Sequence, residues 1–150
     1  MSPIRLNDLP ADVQDRIRAS LSPKAPNPAF RPQVLVQRPG QMNSLEEHYA
    51  DYLCRLVERG EIFSWYYEAF KLRLAHRTFY TPDFLVVNNV TPFPLLCFHE
   101  VKGFMRDDAA VKVKVAAETY PEFGFVVVRA TKGGGWDCER IPRSREPEGD

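Results

Sequence analysis

Between Asn43 and Ile141 the apolar residues change their spacing in an order that restricts the fold more than any other feature of the chain. Ser44 with Glu47 reads as a capping box and Gly60 as a stop, which sets a helix from about 44 to 59. At helical spacing Leu45, Tyr49, Tyr52, Leu53, Leu56 and Val57 share one face. Strand-like runs follow at Ile62–Tyr67, at 70–74 leading past His76, Arg77 and Thr78, at 79–87, and at 95–101 before Gly103. A second helix fits Asp107–Thr119, opened by two acids at its positive end and closed by Pro121. Residues 123–129 form a continuous apolar run of the buried kind. Gly133, Gly134 and Gly135 then turn into a last short strand at 136–141. Helix, three or four strands, helix and two strands predict an α+β fold, one mixed sheet flanked by two helices.

The first forty residues are of another kind. Five of thirteen prolines fall between Ser22 and Gly40 (Pro23, Pro26, Pro28, Pro32 and Pro39), which predicts an extended arm. Before them, Val13, Ile17 and Leu21 fit a short helix over Ala11–Leu21. The expected division is an arm at 1–40, a folded core at 41–145 and a frayed tail at 146–150. The arm carries six basic and three acidic residues. It reads either as a solvated leader that docks one helix or as an arm binding DNA or a protein.

Several classes of protein are disfavoured. Twenty basic residues balance twenty acidic ones, so any polyanion must be met by a local patch. Eighteen aromatic residues in 150 argue for a real core rather than disorder. No apolar run approaches bilayer length and the first residues resemble no signal peptide, so a cytoplasmic protein is expected. Cys54, Cys97 and Cys138 are odd in number and unpaired in spacing. His48, His76 and His99 show no zinc-binding pattern.

The informative residues are acids where apolar residues belong. Asp83 follows Pro82 at the mouth of a strand that turns apolar at once. Glu100 and Lys102 lie two apart at the end of another, so they share a face while Val101 points away. An ion pair at a sheet edge would explain these two alone. Asp83 and Glu100, however, lie on what should be adjacent hairpin partners, where their carboxylates can converge. Two carboxylates with waters and phosphate oxygens are a common way of holding Mg²⁺. On the first helix Glu46 lies toward the apolar face, whereas Glu47 lies nearly opposite it. An acid directed at the core needs a partner, and a metal supplies one.

Pro82-Asp83 followed by Glu100-Val101-Lys102 resembles the PD-(D/E)xK motif of the restriction-endonuclease-like nucleases. The strings beginning at Glu68, Phe79, His99 and Asp107 are similar to a small phage or prophage-encoded branch of that superfamily. The resemblance covers roughly residues 43–141 and implies a restriction-endonuclease-like core. It implies Mg²⁺-dependent hydrolysis of DNA phosphodiesters in the host cytoplasm, with Mn²⁺ able to substitute and with a role in phage replication or recombination. Asp83 and Glu100 then match the metal-binding acids, Lys102 the lysine that orients or polarises the attacking water, and Glu46 a further acid on the first helix. The carbonyl of Val101 would face the metal, and dimerisation is expected for symmetric cutting.

Lys71, Arg73, Arg77, Arg106, Lys112 and Lys114 flank the site in sequence and are the candidate DNA contacts. Lys112 and Lys114 fit a solvated helix flank equally well. Trp65, Tyr66 and Tyr67 would stack on unpaired bases or fill the core. His99, opposite Glu100, is expected to be packed or hydrogen-bonded rather than catalytic. Two alternatives are a non-catalytic DNA-binding or assembly module with the same fold and a glycosidase built on paired acids, which needs no such lysine.

Overall fold

A computed structural model describes residues 5–21, 31–89, 95–103 and 107–142. The proline-rich stretch at 22–30, Arg106 and the tail at 146–150 lie outside the described residues. The chain divides into two compact units, Met1–Arg31 and Pro32–Asp150. In the first, a short 3-10 turn at Leu6–Asp8 precedes helix α1, Ala11–Leu21, with the bounds its apolar spacing predicts.

The break between units falls earlier than the composition suggests. Residues 34–36 form strand β1 (Val34–Val36), and its valines pair with strand β3 (Phe70–Ala75). Proline density marks where a strand cannot run, but Pro32 and Pro39 lie outside this three-residue strand and leave it intact.

Helix α2 (Ser44–Glu58) ends at Gly60, whose φ of +73° suits glycine. Its cap differs from the expected one. Asn43 is the N-cap, accepting from the Glu46 N–H at 2.9 Å, and Glu46 returns the bond to the Asn43 N–H at 2.9 Å. Asn43 and Glu46 satisfy the capping-box pattern as well as Ser44 and Glu47 do, one residue earlier.

The remaining strands are β2 (Ile62–Tyr67), β4 (Thr78–Tyr80), β5 (Phe84–Asn88), β6 (Leu96–Lys102), β7 (Gly124–Ala130) and β8 (Trp136–Arg140). Helix α3 spans Asp107–Thr119. Among the described residues these strands make two sheets, not the single one expected. One has the order β1-β3-β4 and the other β2-β5-β6-β7-β8. The expected run at 79–87 is broken because Thr81, Pro82 and Asp83 leave the ladder, and proline offers no N–H to it. Strand β4 therefore ends in the small sheet while β5 begins in the large one.

The large sheet is antiparallel except where β6 pairs in parallel with β7 across the α3 connection. Its two faces are buried against different partners. Phe84, Val86 and Val128 pack with Tyr49, Ala50 and Leu53 of α2. Leu85, Phe98, Phe125 and Val127 pack with Val113, Ala116, Ala117 and Tyr120 from α3 and its C-terminal end, and with Leu72, Leu74 and Tyr80 of the small sheet. The Tyr120 hydroxyl lies 2.6 Å from the Arg73 carbonyl, fastening that end to β3. No described helix is long and apolar enough to cross a membrane. All three cysteines are free.

Candidate active site

The register of β5 on β6 creates the central juxtaposition. Phe84 pairs with His99, so one residue beyond the ladder Asp83 stands across from Glu100. Cross-strand neighbours share a face, which sends both carboxylates toward the small sheet. There β6 outruns β5, and the Val101 N–H would lose its ladder partner. The Asp83 side chain replaces it, Oδ2 accepting that N–H at 2.8 Å. In an extended strand N–H and C=O of one residue point to the same edge, so the Val101 carbonyl also lies on the Asp83 side.

Glu100 and Lys102 project together as their spacing predicts. The Lys102 ammonium lies 3.5 Å from Glu100 Oε1, and the lysine is only 8% exposed. Tyr80, from the small sheet, donates its hydroxyl to Glu100 Oε2 at 2.6 Å. Burial, followed by the neighbouring charge of Glu100, pushes the Asp83 carboxyl up to about 8. Burial raises the Glu100 carboxyl too, against the opposing hydrogen bond from Tyr80 and the charge of Lys102. Two acids held this way resist being charged together, and a divalent cation relieves that resistance.

Glu46 faces this end of the sheet, as its helical phase predicts, while Glu47 is exposed. Its Oε2 accepts the Tyr67 hydroxyl at 2.7 Å in addition to the Asn43 N–H, and its charge helps to raise Asp83. It does not close with Asp83 and Glu100 into a cage: among the described residues no three His, Cys, Asp or Glu side chains are grouped to hold an ion. The donor set is two carboxylates with a carbonyl edge. That suits Mg²⁺, which keeps several waters and commonly takes one or two protein carboxylates together with substrate phosphates.

The sequence reading gave three neighbours no part in the site. Tyr80 and Tyr67 each tie down one acid of the site. Glu68 sits at φ +40° where the chain leaves β2, its N–H on the Asp83 carbonyl at 2.8 Å, and its charge adds to that of Glu46 in raising Asp83. Glu68 Oε2 accepts the Gly40 N–H at 2.8 Å, so close that a side chain at position 40 would push the carboxylate aside. The left-handed φ of Glu68 is a property of the folded chain and left no signal in the sequence. For the tyrosines none existed, because their partners come from distant elements.

The candidate DNA contacts are scattered. Lys71 covers the Phe79 ring at 4.7 Å, and Arg73 on the same strand reaches the Ala75 carbonyl. Arg77 is exposed in the β3–β4 turn, and Lys112 and Lys114 are exposed on α3. Trp65 and Tyr67 pack their rings near Phe84, leaving Tyr66 half exposed. His99 is hydrogen-bonded as expected, its Nδ1 2.6 Å from the Tyr49 hydroxyl, and burial lowers it to about 4. Set beside known proteins, the chain matches no family model, no curated protein and no solved structure.

Proposed function

We propose that the chain is a Mg²⁺-dependent deoxyribonuclease of the PD-(D/E)xK kind, its Pro32–Asp150 unit forming a restriction-endonuclease-like core. One observation carries this reading: Asp83 and Glu100 stand across from one another at a strand end, with the buried Lys102 ammonium 3.5 Å from Glu100. Holding two half-buried carboxylates around a buried lysine is costly unless a ligand repays it. A structural ion pair would account for Glu100 and Lys102, but not for a second acid directed at them.

Bound there, Mg²⁺ would supply charge neutralisation on the phosphate and acidify a water. Asp83 and Glu100 would hold the cation, and Asp83 would give up the proton that burial lets it keep at neutral pH. Lys102, buried beside Glu100, would offer an N–H to a phosphate oxygen or to the attacking water. Tyr80 and the Val101 N–H fix the carboxylates before substrate arrives.

The test is cleavage of end-labelled linear, nicked, flapped, four-way and single-stranded DNA with Mg²⁺ or Mn²⁺. Asp83→Asn, Glu100→Gln and Lys102→Ala should each lower turnover by about a hundredfold or more while the circular dichroism spectrum is kept. Full activity in excess chelator, or wild-type rates from Asp83→Asn, would remove the reading.

A further inference from the structure

Each acid of the site has one oxygen held at under 3 Å, and the other oxygen of Glu100, Oε1, has only the Lys102 ammonium at 3.5 Å. The Tyr80 hydroxyl holds Oε2 of Glu100, and the Val101 N–H holds Oδ2 of Asp83. The Tyr67 hydroxyl and the Asn43 N–H both fall on Oε2 of Glu46. A carboxylate with one oxygen engaged by a rigid donor offers the other as a monodentate ligand. Hard cations respond differently to that. Mg²⁺ demands near-octahedral geometry and keeps its waters, whereas Ca²⁺ takes more oxygens and accepts bidentate carboxylates readily.

We propose that Tyr80 determines which cation this site prefers: by occupying Oε2 of Glu100 it holds that carboxylate monodentate and favours Mg²⁺ or Mn²⁺ over Ca²⁺. The inference rests on the nuclease reading, which places the cation at Asp83 and Glu100. Tyr80 is built for the task. It is 6% exposed and packed within the core between the two sheets, so its ring is fixed. Its hydroxyl is aimed at Glu100 Oε2 at 2.6 Å, so the donor is set by the packing of the ring. It is a positioning residue, acting on the cation through Glu100.

Calorimetric titration of the full chain with MnCl₂, MgCl₂ and CaCl₂, without DNA, tests this. Wild-type protein should bind Mn²⁺ more tightly than Ca²⁺. Tyr80→Phe keeps the ring, and should weaken Mn²⁺ binding by about tenfold while Ca²⁺ binding holds or tightens. Tyr67→Phe should leave the Mn²⁺/Ca²⁺ ratio within about twofold, because the Asn43 N–H still holds the Glu46 oxygen. An unchanged ratio in Tyr80→Phe overturns the role of Tyr80 and leaves the metal site standing. Ca²⁺ binding to the wild type as tightly as Mn²⁺ overturns it without any variant. Failure of the wild type to bind any of the three ions removes the metal site, and the inference with it.

Discussion

Glu46 shows how much one residue can be asked to do. The same carboxylate oxygen closes the α2 capping box and receives the Tyr67 hydroxyl, while its charge reaches Asp83. Glutamine can close a capping box as glutamate does. Glu46→Gln should therefore melt within a degree or two of wild type, and any loss of cleavage will report its charge. Glu46→Ala loses both hydrogen bonds and should cost about 1–2 kcal/mol. Glu47→Gln, on the exposed side, should leave both properties alone. Chemical denaturation and cleavage rates on these three variants and on Glu47→Ala decide it; a destabilised Glu47→Ala would restore the cap to Ser44. At this scale the sequence was legible in part. Helical phase placed Glu46 correctly, because the α2 face depends only on neighbours along the helix. The cap was read one residue late, because Asn43 and Ser44 are equally good N-caps and each has an acid three residues on. Tyr80 was invisible, since its bond to Glu100 depends on how β4 lies against β6.

Elements were easier to read than their assembly. The bounds of α1, β2 and α3 coincide with the periodicity, and β6, β7 and β8 shift by a residue at most at each end. Alternation reveals which side chains share a face but not which strand lies alongside, so the second sheet went unseen. That His99 would be packed or hydrogen-bonded was anticipated by face alone, though not its partner. His99 points away from Glu100 and meets Tyr49, joining α2 to the middle of the large sheet. With a pKa lowered to about 4, His99 is neutral in the folded protein, and the Tyr49 hydroxyl is its partner. Tyr49→Phe keeps the ring contacts with Phe84 and Trp136 but leaves Nδ1 unpaired in the core, which should cost about 1–3 kcal/mol. Because Tyr49 is on the opposite face from the acids, Mn²⁺ affinity should not move. A parallel loss of Mn²⁺ affinity would mean that α2 positions the site through this contact.

The molecule as a whole contains two buried groups whose titrations oppose one another, and a cation should separate them. His99 falls from 6.5 to about 4 on folding, so the unfolded chain takes up its proton first. Stability from this group is present above 6.5 and is lost as pH drops toward 4, by about 3 kcal/mol in all. Asp83 rises from 3.8 to about 8, so the folded chain holds its proton longer. Stability from Asp83 is present at low pH and is lost as pH climbs toward 8, and Glu100 adds in the same sense. Between pH 4 and 6.5 the slopes of His99 and Asp83 oppose one another, and Glu100 tips the balance toward loss as pH rises. Above 6.5 only the acids still titrate, so the metal-free protein should lose about 1.4 kcal/mol of stability per pH unit up to 8. Saturating Mn²⁺ keeps Asp83 and Glu100 ionised in the folded state and removes their contribution. The profile should then turn over, rising from pH 4 to 6.5 and staying level beyond. Urea denaturation at half-unit pH steps, with EDTA or with saturating Mn²⁺, reads both curves. Asp83→Asn should reduce the fall above 6.5 in the metal-free protein while leaving the His99 limb in place. A metal-free profile that stays level from 6.5 to 8 would mean that Asp83 is already charged at neutrality, and the electrostatic case for a cation beside it would go.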